Sequence, residues 1–454
     1  MDITLLPAHE QARLIAAGEL SSRELLDASV ARYEHLDGEL NAVIVERIDD
    51  ARRGAADADD AVVRGDELGP LHGIAMTVKE VIDWVGTPST WGDPRHANHY
   101  PDRNAVVLDQ VIAAGAIVWG KTNVPLELGE WQTFNAIHGR TNNPWDLERT
   151  PGGSSGGSAV ALAVGYAGLE IGSDIGGSIR FPSHYCGVFG HKPSFGAVSA
   201  DGHDYPGQPA EVDLNVVGPM ARSARDLDTA MRLFSRIVLP DEPRRELRDF
   251  TVGVMLEHPF GGEQDGEMTS VLQASIDQMA EAGLRVRIAD TGIDHARAQR
   301  NYLLLNHAAT SGVDQSWHGE ERTGITHRQW VELSNERQLI RRQWAAYFDE
   351  VDLLLCPVAA SAAPPHQTDV PFMEQTLPVN GRQISNFDQW LWAGIANGAY
   401  LPSTAFPAGR SQIGLPVGLQ ALCPFAHDLR GIAFAAAVER EVGGFEPPSM
   451  AVRM

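Results

Sequence analysis

Apolar residues recur with two different spacings along this chain, and the two spacings separate predicted helices from predicted strands. Helical spacing beside a polar face predicts helices over residues 8–17, 22–36, 49–60, 106–114, 223–237, 268–282, 294–309, 326–348 and 428–441. Short apolar runs next to turn-forming residues predict strands over residues 41–45, 74–78, 116–120, 252–256, 284–288, 352–357, 403–406 and 417–422. Because helices and strands alternate in much of the chain, the pattern favours an α/β fold.

The composition limits the kind of partner. The chain of 454 residues has 36 basic and 60 acidic side chains and a formal net charge of −24. That charge opposes binding to nucleic acid and to anionic membrane surfaces, so a small neutral substrate is easier to accommodate. With no signal-like start and no apolar run of about 20 residues, the protein is expected to be soluble and cytoplasmic.

The cysteines and acidic residues give no sign of a metal or other cofactor. Cys186, Cys356 and Cys423 lie far apart without a C-x-x-C pair, which predicts neither a disulfide framework nor a structural zinc site. The acidic run at residues 57–60 is predicted to be a solvated helix face, because no nearby segment supplies convergent metal ligands. We therefore predict no metal and no cofactor.

Two serine-bearing glycine clusters mark the segment with the most distinctive chemistry. GGSSGG occupies residues 152–157 and DIGGS occupies residues 174–178, with an apolar run between them. The first cluster lacks bulk, so we expect neither a strand nor a helix there. In the second cluster, successive backbone N–H groups can face one concavity and hold a developing negative charge. Ser178 is expected at the edge of that concavity.

Other interpretations of these residues fit less well. The nucleophile elbow G-x-S-x-G needs a preceding strand, which residues 146–151 do not predict. A phosphate-binding loop needs a closing Gly-Lys-Ser/Thr or a G-x-G-x-x-G after a strand, and neither occurs. A flexible linker would not continue into the apolar residues 159–164. Cys186 is a weak candidate nucleophile, since buried cysteines are usually inert.

Several motifs around the clusters resemble the amidase signature family. They are GIAMTVKE at 73–80, IRFP at 179–182, CGVFGHKP at 186–193, GPMAR at 218–222 and GLPVGLQ at 414–420. The resemblance implies one domain over residues 1–454, with a mixed central β-sheet covered by helices on both sides. Its signature core would span about residues 70–225, and a more variable substrate-pocket region would span about residues 240–400.

The resemblance also implies a catalytic mechanism. The family uses a serine nucleophile, a second serine that follows a cis peptide and shuttles a proton, and a lysine base. These roles fall on Ser178, Ser154 and Lys79 respectively. The implied oxyanion hole consists of the main-chain N–H groups of Ile175, Gly176, Gly177 and Ser178.

Lys79 has a physical reason to act as a base. It follows a predicted buried strand, and burial disfavours the charged form of a lysine. The alternative is an ordinary ion pair with Glu80 or Asp83, which the motif around Lys79 disfavours.

Further residues have supporting roles. Ser155 could hydrogen-bond to the proton relay, and Asp174 and Arg180 are expected to brace the second cluster, with a substrate carboxylate as the alternative partner of Arg180. No triad or zinc spacing involves His184, His191 or His203, which receive no catalytic role. The aromatic candidates for the substrate pocket, for which core packing is the alternative, are Trp131, Phe134, Trp390 and Trp392.

Together these features predict an amidohydrolase. It would cleave the C–N bond of a small or medium-sized neutral amide, aryl acylamide or carbamate through a serine acyl-enzyme, with esterase side activity. The family implies a possible homodimer. One alternative is the glutaminase subunit of a tRNA-dependent amidotransferase. The other is a non-catalytic binding protein on an amidase scaffold, which the joint presence of Lys79, Ser154 and Ser178 disfavours.

Overall fold

Strands and helices alternate in the computed structural model, which describes residues 2–310 and 324–452. The strands are β1 Val43–Glu46, β2 Ala75–Lys79, β3 Ile117–Thr122, β4 Phe134–Asn135, β5 Gly139–Arg140, β6 Leu169–Asp174, β7 Phe189–Lys192, β8 Val216–Ala221, β9 Thr251–Val254, β10 Arg285–Ile288, β11 Leu353–Pro357, β12 Thr376–Val379, β13 Arg382–Ser385, β14 Ser403–Arg410 and β15 Pro416–Leu422. The helices are α1 Ala8–Ala16, α2 Ser22–Leu40, α3 Ile48–Arg64, α4 Val106–Ala113, α5 Gly156–Ala163, α6 Arg180–Cys186, α7 Ala224–Phe234, α8 Gly266–Glu281, α9 His295–Thr310, α10 His327–Phe348, α11 Trp390–Asn397, α12 Asp428–Glu441 and α13 Ser449–Val452.

The central sheet has eight strands in the order β10-β9-β11-β15-β14-β7-β8-β6. The β9 strand pairs in parallel with β10 and β11, whereas the other neighbours are antiparallel, so the sheet is mixed. A smaller sheet has the order β1-β3-β2. Its strand β2 lies beside β6, and the Gly168 N–H just before β6 donates to the Ala75 carbonyl at 2.8 Å. The two sheets therefore meet at β2 and β6.

Helices cover both faces of the central sheet. Successive side chains of a strand point to opposite faces. On β14, Phe406 packs against Phe434 of α12, with ring centroids 6.0 Å apart. The neighbouring Ala405 lies in a different cluster with Phe181 and Tyr185 of α6. The predicted α/β fold with a mixed central sheet covered by helices is confirmed.

The described residues were also searched for membrane spans. No helix in residues 2–310 or 324–452 is long and apolar enough to cross a bilayer.

Candidate active site

Lys79 is the last residue of β2 and is completely buried. Since β2 lies beside β6, the lysine reaches both glycine clusters. Its Nζ lies 2.6 Å from Ser154 Oγ and 2.9 Å from Ser173 Oγ. The sequence pointed to Ser154 but not to Ser173, which occupies an ordinary-looking place within a strand. Lysine and serine hydroxyl are thus already in hydrogen-bond contact.

The surroundings of Lys79 favour its neutral form. Burial lowers the pKa of Lys79 from 10.5 to about 7, against the opposing pull of Asp174, Glu170 and Glu80. The alternative ion pair with Glu80 is not formed, because the Glu80 carboxylate accepts backbone N–H groups of Thr90 and Trp91 instead. Lys79 therefore has the chemistry of a base.

The first glycine cluster forms a turn and then a helix. The peptide bond between Gly153 and Ser154 is cis, as the family resemblance implies. The expectation that the whole cluster avoids helix is wrong, because Gly156 and Gly157 form the first turn of α5. Glycine is needed there for close packing: a Cβ would lie 2.2 Å from Thr133 Oγ1 at Gly156 and 2.5 Å from the Asn123 backbone at Gly157.

The second glycine cluster presents backbone N–H groups next to Ser178. Among the hydrogen bonds of the described residues, none starts from the N–H groups of Ile175, Gly176 or Ser178. The prediction for Gly177 needs correction, because its N–H donates to Asp174 Oδ1 at 2.9 Å. Three of the four predicted donors are therefore available to an oxyanion.

The carbonyl groups of the same loop are held by side chains. Trp131 Nε1 donates to the Gly176 carbonyl at 2.8 Å, and the Tyr302 hydroxyl donates to the Ile175 carbonyl at 3.0 Å. Trp390 Nε1 in turn donates to the Tyr302 hydroxyl at 3.0 Å. These bonds fix the peptide planes of the loop, so its N–H groups are oriented before any substrate binds.

Asp174 and Arg180 form a buried pair behind the loop. Arg180 Nε and an Arg180 terminal nitrogen each donate to the Asp174 carboxylate at 3.0 Å. Burial alone would raise the pKa of Asp174, but the Arg180 charge holds it well below its ordinary value. The other Arg180 contacts go to Gln420, Asn397 and the Trp392 and Ala393 carbonyls. Arg180 is placed as a brace and not as a partner for a substrate carboxylate.

Ser155 joins the two clusters. Its N–H donates to the Ser178 carbonyl at 3.2 Å, and its hydroxyl lies 3.4 Å from the Ser173 nitrogen. The hydrogen bonds of the described residues include none between the Ser154 and Ser178 hydroxyls, so proton transfer between them is a proposal.

A cavity of about 120 Å³ opens at Ser178. Of the three predicted triad residues, Ser178 lines this cavity, whereas Lys79 and Ser154 are buried and do not. Much of the wall is aromatic, from Trp91, Trp131, Tyr205, Phe372 and Trp390.

Two of the four aromatic pocket candidates lie elsewhere. Trp392 is completely buried in the core and donates to Gln264 Oε1 at 3.0 Å. It is two residues from Trp390 on α11, and that spacing puts the two side chains on opposite sides of a helix. Phe134 does not line the cavity but belongs to β4, which pairs with β5. Trp131 and Trp390 remain as pocket residues.

The other candidate nucleophiles and ligands are buried structural groups. Burial raises the pKa values of Cys186, Cys356 and Cys423, which keeps these thiols protonated. His184 is held by the Ser361 carbonyl and the Gly418 N–H, and His191 by Thr404 and Asp428. Across residues 2–310 and 324–452, no group of three or more His, Cys, Asp or Glu side chains could hold a metal ion.

Comparison with known proteins shows the family of the chain. The model of the Amidase family matches residues 24–330 and 315–430. The chain belongs to the amidase signature family. It is therefore a hydrolase that acts on C–N bonds other than peptide bonds. The family membership confirms the resemblance that the sequence motifs gave.

Three relatives show the range of this family. A glutamyl-tRNA(Gln) amidotransferase subunit from Moorella thermoacetica is 30% identical and covers 94% of both chains. An indoleacetamide hydrolase of Bradyrhizobium diazoefficiens is 28% identical over 96% of this chain and 86% of its own. The crystal structure of a bacterial aryl acylamidase matches with a TM-score of 0.83 and 25% identity, over 98% of this chain and 97% of that one.

Proposed function

We propose that the chain hydrolyses a small or medium-sized neutral amide, aryl acylamide or carbamate through an acyl-enzyme on Ser178. One observation carries this proposal. Ser178 lines the cavity, whereas Ser154 and Lys79 lie behind it, buried and in contact with each other. Such an arrangement suits a nucleophile backed by a protected proton relay. Esters are expected to be side substrates, since an alcohol leaving group depends less on protonation than an amine leaving group does.

Each chemical step has a residue to perform it. Neutral Lys79 accepts the proton of Ser154, Ser154 accepts the proton of Ser178, and Ser178 Oγ forms a bond to the amide carbonyl carbon. The oxyanion is stabilised by the N–H groups of Ile175, Gly176 and Ser178. The proton returns through the relay to the leaving nitrogen as the C–N bond breaks. Water then attacks the acyl-enzyme and releases the acid.

The cavity supports the choice of a substrate without an acidic group. Among the described residues that line it there is no lysine or arginine. His203 lines it too, but burial lowers the pKa of His203 to about 3, so this ring is neutral. A substrate carboxylate would lose its hydration without gaining a cation, which is costly. Aromatic walls instead suit an aryl or alkyl group.

A second candidate function is the glutaminase step of a tRNA-dependent amidotransferase. The names of several relatives at 29–30% identity favour it. The lack of a lysine or arginine among the described lining residues counts against it, because glutamine carries a carboxylate. The discriminating observation is whether the purified chain is active alone, without ATP or tRNA.

A substrate panel tests the proposal. Release of amine is measured from p-nitroanilides, short aliphatic amides, aryl carbamates and glutamine. Wild type is compared with Ser178→Ala and with Ser270→Ala, a matched control at an exposed serine on α8. We expect turnover of anilides or carbamates that Ser178→Ala abolishes and Ser270→Ala retains. Turnover of glutamine alone would favour the second candidate, and activity surviving in Ser178→Ala would refute the acyl-enzyme.

The homodimer and the cytoplasmic location stay predictions. Sedimentation of the purified chain would test the first, and localisation of a tagged chain would test the second.

A further inference from the structure

The cavity contains one carboxylate without a cationic partner. Its charged lining residues are Glu127 and Glu130. Glu127 is paired with Arg95, whose terminal nitrogen lies 2.6 Å from Glu127 Oε1. Glu130 forms no ion pair with a described Lys, Arg or His side chain. The cavity therefore contains an acidic side chain that no cation of the described residues balances.

Glu130 is nevertheless held in a defined position. Gln375 Nε2 donates to Glu130 Oε1 at 3.1 Å and to Oε2 at 3.0 Å, and Gln375 itself is buried. A neutral amide orients a carboxylate but does not neutralise it. Burial accordingly raises the pKa of Glu130 to about 8, with only the Gln375 hydrogen bond opposing the shift. Glu130 is therefore mostly protonated at pH 7 in the free protein, and an incoming ammonium group would favour its charged form.

The backbone of Glu130 lies next to the first glycine cluster. A Cβ placed on Gly153, the residue before Ser154, would lie 2.5 Å from the Glu130 carbonyl oxygen. The indole nitrogen of the next residue, Trp131, donates to the Gly176 carbonyl in the second glycine cluster. The Glu130 main chain thus borders the residue that precedes Ser154, and its side chain lines the cavity together with Ser178.

The neighbouring walls also suit an ammonium group. The Trp131 and Trp390 rings pack edge to face with centroids 5.3 Å apart, and both line the cavity with Phe372. Aromatic faces attract cations, and an aromatic wall beside a carboxylate is a usual way to bind an ammonium. The formal net charge of −24 favours the approach of a cation as well.

Two further lining residues indicate that the cavity accepts a polar ligand. His203 Nε2 has no hydrogen-bond partner among the described residues, and Asn306 Nδ2 makes no well-aligned hydrogen bond among them, although its side chain lies near the Tyr302 hydroxyl. Both side chains are more than nine-tenths buried, with 6% and 8% of their surface exposed. Unpaired buried polar atoms are costly, and a bound ligand can pair them.

We propose that Glu130 is a specificity-determining residue that binds an ammonium group of the substrate, so the enzyme prefers an amine-bearing amide to its neutral isostere. This inference rests on the acyl-enzyme chemistry of the proposed function, and it changes the preferred substrate from a neutral amide to one that carries an ammonium group. Glu130 acts on substrate choice and takes no part in the proton relay.

Paired substrates test the preference. One series contains ω-aminoacyl p-nitroanilides of graded chain length, each beside the acyl p-nitroanilide with a methyl group in place of the ammonium. A second series places the amine on the leaving group. The measured quantity is the ratio of kcat/KM for the amine to that for its isostere. We expect a ratio above one in wild type that falls at least about tenfold in Glu130→Gln.

Two further variants serve as controls. Glu67→Gln makes the same substitution at an exposed position and must leave the ratio unchanged. Glu130→Asp keeps the charge and must recover part of the preference. A wild-type ratio at or below one in both series, or an equal ratio in Glu130→Gln, would overturn the inference.

Ligand binding separates this inference from the proposed catalysis. The Ser178→Ala protein is heated with n-hexylammonium chloride or with n-hexanol, and its Tm is compared with that of a Ser178→Ala, Glu130→Gln double variant. Hexylammonium must raise the Tm more than hexanol does, and the double variant must lose this difference. Equal shifts in both proteins would overturn the inference. If wild type hydrolyses neither series nor any amide or carbamate of the substrate panel, the proposed function fails, and this binding comparison still decides the role of Glu130.

Discussion

The proton on Lys79 sets the pH range in which the enzyme is expected to work. Burial lowers the pKa of Lys79 from 10.5 to about 7. With a pKa of 10.5, about one lysine in three thousand would be neutral at pH 7, whereas with a pKa of about 7 about half are neutral. Because only the neutral amine accepts the Ser154 proton, activity must rise with pH and must not fall.

A pH profile of kcat/KM measures this directly. With an uncharged anilide from about pH 5 to about pH 9, we expect a tenfold rise per pH unit below about pH 7 and a plateau above it. Replacement of Lys79 by Met should lower the plateau by about 10²–10⁴-fold and abolish the rise.

A second buried lysine provides the matched control. Lys121 is also completely buried, but its Nζ donates to the Pro88 carbonyl at 2.7 Å and to Ser89 Oγ at 3.0 Å, away from the catalytic serines. Lys121→Met, verified as folded, should keep the rise near pH 7. A flat or falling wild-type profile, or an unchanged rise in Lys79→Met, would refute lysine as the base.

Three other substitutions test the rest of the site. Ser154→Ala should lower kcat by about 10²-fold or more because the proton relay is interrupted. An unchanged rate of p-nitroaniline release, measured by stopped flow, would contradict this role. Trp131→Phe keeps a ring but removes the hydrogen bond to Gly176, so kcat at saturation should fall by a few-fold to about tenfold; a change in KM alone would contradict the orienting role. Arg180→Met leaves the Asp174 charge buried without its partner and should lower the free energy of unfolding in urea by about 3–5 kcal/mol, whereas a loss below about 1 kcal/mol would show that the pair is not structural.

Simple periodicity was sufficient to predict several elements outside the signature core. The strand, helix and strand of residues 251–288 fold as β9, α8 and β10, and β9 and β10 pair in parallel. These elements each have one apolar side that the sequence makes visible. The proposed catalytic residues, by contrast, were assigned through motifs, because no periodicity distinguishes Ser178 from other serines.

The β6 strand, which leads into the second glycine cluster, does not follow that periodicity. The β6 strand contains Glu170, Gly172 and Asp174, and all of its residues are buried. Its polar residues are retained by buried contacts such as the one between Thr77 and Glu170, so the strand has no apolar pattern to detect. The helix α11 was also missed, and with it the helical geometry that separates Trp390 from Trp392.

Contacts between residues far apart in the chain could not be predicted from local sequence patterns either. Tyr302 reaches Ile175, and Gln375 reaches Glu130, across more than 120 residues in each case. Such contacts depend on how the strands and helices pack, which short-range patterns do not specify.

The most direct test of the account is the site of covalent labelling by a serine-directed fluorophosphonate. The reagent is incubated with wild type, Ser178→Ala and Lys79→Met, and the adduct is located by intact mass and peptide mapping. We predict one adduct on Ser178 in wild type, none in Ser178→Ala and slower labelling in Lys79→Met. An adduct on another residue, or labelling of Ser178→Ala at the wild-type rate, would contradict Ser178 as the nucleophile.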